Sequence, residues 1–453
     1  MTSRKKIING ALLLGIGAVI AKLLGAIYRV PLTNLLGAEG LGLYQMVFPV
    51  YSVLLDFSGA GVPSALSKII SEYSLSDKER YAKRILNSSI KLFAVIGSVF
   101  FLLMALLSKI ISNVQGNESA YLGYIFLAPA VLLVSVISCF RGYFQGLMNM
   151  KHTAISQTVE QVIKLVFGLL FVSVFLPNIP LAVGGATLGV TISELVALIY
   201  LYTVYKRRER VLILNFPDDQ KEFGMDAKKI IRLTIPVTLI GIAIPLSHFI
   251  DSFLVVNILK KYTESATSLY GLFSGVAHTV INLPVSVCYG LSIVAIPLIS
   301  GSKTDREREE NQNSTLLLTL ISAIPLALLI YFFAPIIVNV LFNSLSAWQK
   351  DVSVRLIKIL SINVVFVSVL QSTNAILIGK GKAYYPLISM AIGVIANTAL
   401  NLVLLNNQSL NIYACGIASI TCYFIAVLIN LILIISGRVK YAAKKPNGGQ
   451  LTN

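Results

Sequence analysis

Lys5-Lys6-Ile7-Ile8 opens a long apolar run, and Lys228-Lys229-Ile230-Ile231 opens another half a chain later. The echoes continue in order. Leu43-Tyr44 is answered by Leu269-Tyr270, Ile70-Ser71 by Ile299-Ser300, and Lys151 by Lys382. No single echo is specific, but together, at a nearly constant offset, they indicate duplication of a six-span unit. An even number of spans per unit makes the repeats parallel, related by an axis along the membrane normal. Two such halves facing one another enclose a central cavity.

Composition requires the membrane. Hydrophobic residues make up 56% of the 453 residues and charged ones 13%, with a mean hydropathy of +0.80. A soluble domain carries about twice that charge. Apolar surface on this scale has no core large enough to hide in and must face lipid. Windows of about 20 apolar residues fall near 7–28, 41–71, 89–112, 119–146, 154–177, 181–205, 230–257, 268–300, 314–343, 353–378, 384–405 and 411–437. The expected fold is all-α and polytopic, with 12 transmembrane helices in two six-helix bundles, 1–205 and 230–437. A cytoplasmic linker, 206–229, joins them, and a basic tail, 438–453, follows. The second and eighth spans are over-long and carry Pro49, Pro63 and Pro284, so bends are expected there. The first apolar run is too long for a secretory h-region and no A-x-A pattern follows it, so it reads as a span.

The net charge of +17 is a topology signal rather than a nucleic-acid footprint. With the N-terminus inside, most Lys and Arg fall in inner segments, and the outer ones hold Arg29, Lys109, Lys260, Lys261, Lys350 and Arg355. Retention of basic residues on the cytoplasmic side places both termini in the cytoplasm. Cysteines introduced at Asn113 and Gln408 should then label from outside intact cells, while those at Asp219 and Asn447 stay protected. External labelling at Asp219 would overturn the orientation.

Ionisable groups within spans mark pathways by default. Lys22 lies deep in the first span, with Gly25 and Arg29 following on the same helical face. Arg29 also suits snorkelling at the outer interface. In the fifth span Gln157, Glu160, Gln161 and Lys164 form a polar stripe at i, i+3, i+4 and i+7. Glu160 and Lys164 stand in the favourable order for an i,i+4 pair. Such a stripe lines either the cavity or a polar seam between helices. Weaker faces are Gln45, Ser52 and Asp56; Thr187, Thr191 and Glu194; His248 and Asp251; and His278, Asn282, Ser286 and Tyr289. For these, hydrogen-bonded packing competes evenly with ligand contact. Gly185 and Gly189 read as close helix packing, and Asn397 and Asn401 as bonded to neighbours.

Several chemistries find no support. The four cysteines sit in apolar stretches without metal-ligand spacing, and the histidines lack a second ligand at helical spacing. There is no phosphate-binding lysine loop for nucleotide-driven transport. The outer loops hold only Glu39, Glu118, Glu264 and Asp351, too sparse for glycosyl chemistry. Neither an enzyme, a metal site nor a cofactor is expected.

The stretch Lys22-Leu23-Leu24-Gly25 to Arg29, then Asn34-Leu35-Leu36-Gly37-Ala38-Glu39-Gly40-Leu41-Gly42-Leu43-Tyr44, resembles the polysaccharide-biosynthesis flippase family. So do Gly59-Ala60-Gly61-Val62-Pro63-Ser64-Ala65-Leu66-Ser67-Lys68 and Arg141-Gly142-Tyr143-Phe144-Gln145-Gly146, with Gly379-Lys380-Gly381-Lys382 as a second-half counterpart. More specifically it is similar to the stage V sporulation protein B branch of the multidrug/oligosaccharidyl-lipid/polysaccharide (MOP) exporter superfamily, whose other members include MATE-type antiporters. The resemblance implies a flippase in the bacterial cytoplasmic membrane. Its partner would be an undecaprenyl-pyrophosphate-linked saccharide, such as lipid II or an O-antigen-type precursor, carried by alternating access. H⁺, Na⁺ or the membrane potential would drive it, and a monomer is expected. Lys22 stands where the family expects a basic residue, as Lys rather than the commoner Arg, which keeps the charge and loses the bidentate fork. Lys22, Arg29 and Lys164 become the expected pyrophosphate ligands. Gln157, Glu160, Gln161, Asp56, Glu194, His278 and Asn282 become the expected cavity lining. Sporulation and lipid II members typically have fourteen spans, against the twelve read here.

The alternative is a MATE-type H⁺- or Na⁺-coupled drug or cation antiporter, of the same fold and opposite cavity charge. It would require an acid in the first or tenth span, and neither has one.

Overall fold

The computed structural model describes residues 3–72, 78–212, 223–302, 304–382 and 384–436, and every regular element among them is helical. In a bilayer the helix is the open-chain solution that satisfies each backbone group within its own segment. Helix α1 (Ser3–Leu55) runs through the first two expected spans. Gly37, at φ 66° and ψ −174°, breaks it. A side chain would be strained there, so glycine sets the turn between the spans. A π-helical segment (Asp56–Ala60) and α2 (Val62–Ser71) complete the second span. Next come α3 (Lys78–Leu106), the short α4 (Ser108–Val114), α5 (Tyr121–Gly146), α6 (Lys151–Phe175) and α7 (Ile179–Leu212).

In the second half α8 (Phe223–Gly241) and α9 (Ala243–Leu259) are separated by a break beside Ile242. The short α10 (Ala266–Tyr270), a second π segment (Gly271–Ala277) and α11 (His278–Gly301) form one rod. The remainder is α12 (Asp305–Leu341), α13 (Ala347–Leu360), α14 (Asn363–Gly379), α15 (Tyr384–Leu404) and α16 (Tyr413–Ile435). Thr304 caps α12 at Glu307 N, and Ser346 with Gln349 forms a capping box on α13. Among the described residues nine helices are long and apolar enough to cross a membrane. The count is ten if α13 and α14, bent by 43°, form one span. That measure takes Leu23–Ser71 as one crossing and Pro245–Leu259 as a shorter apolar helix. Dividing the first at Gly37 and joining α8 to α9 restores twelve rods.

One expectation needs correction. The second and eighth spans are irregular at their π segments rather than at the expected prolines. Pro49 lies within α1, and Pro63 starts α2, where its missing N–H costs little. Each π segment takes up an extra residue in the turn, a device that commonly marks functional stretches. The seventh and tenth spans are also broken, which hydropathy alone does not report.

The stretches that echo in sequence meet in space. A Cβ on Gly42 would lie 2.1 Å from Thr267 O, and one on Gly271 would lie 2.3 Å from Ala38 O. Gln45 Nε2 donates to Ser274 O at 2.8 Å across the same crossing. Leu41, Met46, Val47, Leu272 and Val276 are buried around it. Further ties gather at that end: Asn34 Nδ2 to Leu341 O at 2.8 Å, Asn257 Nδ2 to Val114 O at 2.7 Å, and Asn117 Nδ2 to Thr267 Oγ1 at 2.9 Å. Toward the opposite end Arg84 holds Asp226 bidentately, at 3.0 and 3.1 Å, and so fastens α8 to α3. Leu317, Ile321, Leu328, Phe332, Ile336 and Val340 of α12 are exposed apolar residues, the face lipid would cover.

Helices α6 and α7 also pack closely. A Cβ on Gly189 would stand 2.4 Å from Gly168 Cα and 2.5 Å from its N, so backbone meets backbone as the glycine spacing predicts. Gly189→Leu must push the helices apart. It should cost at least about 1–3 kcal/mol, the usual range for overpacking, and lower the thermal unfolding midpoint in detergent. An unchanged midpoint would mean that the contact does not hold the bundle.

Candidate functional site

A cavity of about 510 Å³ lies between the two halves. Its first wall comes from α1, with Ala21, Gly25, Ala26 and Arg29, and from α6, with Gln161 and Lys164. The small residues of α1 leave room for α6, and a Cβ on Gly25 would lie only 3.5 Å from Gln161 Oε1. The facing wall comes from α9, α11, α14 and α16 and carries His248, His278, Thr279, Asn282, Ser286, Gln371, Asn374 and Tyr423.

The charge on these walls is one-sided. Arg29 Nη1 reaches across to Thr279 Oγ1 at 3.4 Å. Lys164 Nζ stands 5.5 Å from the centre of the Tyr28 ring, a cation–π contact. Neither has an ion-pair partner among the described residues, and no Asp or Glu lines the cavity. Two half-buried cations without a counter-charge are costly until an anion replaces the lost hydration. The arrangement is that of an anion site. The side chain of Lys22 lies outside the described residues; its backbone belongs to α1.

The fifth-span stripe divides. Gln161 and Lys164 face the cavity, whereas Glu160 turns to α5. The expected Glu160–Lys164 pair is replaced by Arg141, whose Nη2 donates to Glu160 Oε2 at 2.9 Å and whose Nε donates to Ser156 Oγ at 3.1 Å. Arg141 projects from the neighbouring helix at the right depth, and a guanidinium fits carboxylate and hydroxyl together. Gln161 Nε2 donates to Glu160 Oε1 at 3.0 Å. This lock frees Lys164 for the cavity. Spacing along one helix could not show it, because the competitor came from another helix.

Asp56, Gln157, Glu160 and Glu194 do not line the cavity. Asp56 opens the first π segment, and Gln157 Oε1 and Glu194 Oε2 are buried without hydrogen-bond partners. Thr191 Oγ1 donates to Phe126 O at 2.6 Å, so that face of the sixth span is packing. His278 and Asn282 do line the cavity. Gln371, Asn374 and Tyr423 are lining residues the sequence reading did not single out, because the polar run Gln371-Ser372-Thr373-Asn374 points to all sides of α14 and Tyr423 sits within apolar α16. Beside the cavity, buried Asp251 of α9 accepts from Asn397 Nδ2 at 2.9 and 3.2 Å and from Asn401 Nδ2 at 2.9 Å. The two asparagines thus bond to a neighbouring helix, as expected. The four cysteines are buried and unpaired.

The polysaccharide biosynthesis protein family matches residues 7–303, and the MatE family matches 236–403. Stage V sporulation protein B of Bacillus subtilis (strain 168) is 27% identical over 438 residues, covering 94% of this chain and 83% of that protein. Lipid II flippase MurJ of the same organism is 25% identical over 422 residues, 88% of this chain and 77% of that protein. Among solved structures, the inward-facing conformation of a multidrug resistance MATE family transporter of the MOP superfamily superposes with a TM-score of 0.79 at 14% identity. It covers 96% of this chain and 100% of that one. This multi-pass membrane protein belongs to the polysaccharide biosynthesis protein family.

Proposed function

We propose that the chain is a flippase that moves a polyprenyl-pyrophosphate-linked saccharide from the inner to the outer leaflet of a bacterial cytoplasmic membrane. One observation carries this reading: Arg29 and Lys164 face one cavity with no acid on its walls. A pyrophosphate needs fixed cations when it leaves water. The likeness to a lipid II flippase and to a sporulation protein supports the lipid-linked class of substrate. The two halves, 1–205 and 230–437, would rock about the crossing of Gly42 and Gly271, with linker 206–229, tail 438–453 and both termini cytoplasmic. Asp251 with its two asparagines is where an exchanging H⁺ or Na⁺ would act; membrane potential is the other driving force. The protein would work as a monomer.

The test uses a strain depleted of its own lipid-linked-saccharide flippase. Expression of this chain should restore growth and relieve the precursor that accumulates on the inner leaflet. Precursor that stays trapped while a cationic dye is expelled would favour the MATE-type antiporter. The fold likeness and Asp251 speak for that second reading.

A further inference from the structure

The cavity has two unlike sides. Its fixed cations, Arg29 and Lys164, come from α1 and α6. Among the described residues the facing wall carries no Lys, Arg, Asp or Glu; its polar groups are imidazole, amide and hydroxyl, set among Val285, Val367 and Leu370.

Several of those groups lack partners. Gln371 Oε1 and His278 Nε2 are buried with no hydrogen bond. Asn374 Oδ1 accepts from Asn430 Nδ2 at 2.8 Å, which fixes the amide, while its own Nδ2 has no partner among the described residues. The Asn282 side chain is exposed to the cavity and makes no hydrogen bond among the described residues. His278 is held edge-on against Phe273, with ring centres 4.8 Å apart, so its orientation is set. Buried polar groups are normally satisfied, and each one left over calls for a partner supplied from outside. A bare pyrophosphate offers acceptors alone. It would satisfy the amide N–H groups and leave Gln371 Oε1, an acceptor, unpaired.

We propose that Gln371, Asn374, Asn282 and His278 form a saccharide subsite, which binds the hydroxyl- and amide-bearing part of the head group while Arg29 and Lys164 hold its phosphates. Sugar hydroxyls both donate and accept, so one ring can satisfy Gln371 Oε1 and the amide N–H groups together. The separation of α1 and α6 from α11 and α14 sets the order of the ligand, with phosphates on the first half and sugar on the second. This rests on the flippase reading and adds to it a division of labour between the halves.

The experiment measures binding of two probes to the purified full chain in detergent: undecaprenyl pyrophosphate, and undecaprenyl pyrophosphate bearing one N-acetylhexosamine. The wild type should bind the glycosylated lipid more tightly. Gln371→Leu should weaken the glycosylated probe about tenfold, the loss expected when a hydrogen-bonding amide in a closed site becomes apolar. The bare probe should change less than twofold. Asn282→Leu, at a position exposed to the cavity, should show the same selectivity if Gln371→Leu folds poorly. Arg29→Ala should weaken both probes alike. Equal losses for both probes in the Gln371 and Asn282 variants, or no loss in either, would overturn the subsite. A wild type that binds neither probe would overturn the flippase reading itself, a result distinct from loss of selectivity.

Discussion

Lys164→Glu should abolish transport while leaving the protein folded and inserted. Lys164 Nζ meets the face of Tyr28 on the cavity wall and has no carboxylate partner among the described residues. Reversal therefore breaks no ion pair inside the protein. It places a carboxylate one turn from Glu160, where like charges at i,i+4 repel, and it turns an attraction for an anionic head group into a repulsion. Loss of a charge-assisted contact alone costs about 1.5–3 kcal/mol, or about ten- to a hundredfold in affinity, and the reversed sign adds to this. Lys164→Gln should fall between wild type and Lys164→Glu. Complementation of the depleted strain, read beside membrane abundance of each variant, is the measurement. A fully active Lys164→Glu would remove Lys164 from the pathway, and one that fails to insert would mean that the residue belongs to a packing seam. Glu160 differs here, because Glu160→Gln weakens its bond to Arg141 and acts on helix packing.

The contrast between Glu160 and Lys164 shows what a sequence can and cannot disclose. Apolar windows and basic-residue placement suffice to give the helical bundle, since lipid solvation acts on each segment by itself. The glycine spacing of α7 also reads correctly, because Gly189 meets Gly168 through backbone alone. Breaks follow different physics. The interruptions beside Ile242 and between Leu360 and Asn363 lie within apolar runs whose composition barely changes. Side-chain pairing is harder still. Periodicity puts Glu160 and Lys164 on one face, but Arg141 from α5 takes the carboxylate, and only the fold sets that distance. Asn397 and Asn401 show a middle case, in which intramembrane amides announce a partner and the fold supplies Asp251. The cavity wall on α14 is the least legible, because Gln371, Ser372, Thr373 and Asn374 are four consecutive polar residues that point to all sides of a helix, and their run does not say which of them meet the cavity.

The charge at position 22 separates the two transporter classes. In the sequence Lys22 precedes Gly25 by three residues and Arg29 by seven, the spacing from which it is expected to serve the same ligand as Arg29. A pyrophosphate leaving water needs a fixed cation in place of its hydration. For a flippase, Lys22→Ala should lower transport about ten- to a hundredfold, the equivalent of one charge-assisted contact, and Lys22→Glu should abolish it. Lys22→Arg should retain most activity, because it preserves the charge and adds a planar fork suited to phosphate oxygens. A cation antiporter should behave in the opposite sense. Its substrate is repelled by a cavity ammonium, so removing that charge should leave efflux unchanged or raise it. Its dependence should fall instead on a carboxylate, and Asp251, held by Asn397 and Asn401 beside the cavity, is the acid placed to act. The paired measurement is complementation of a flippase-depleted strain and efflux of a cationic dye, run on the same set of variants. Full complementation by Lys22→Glu, together with dye efflux lost in Asp251→Asn, would transfer the protein to the antiporter class.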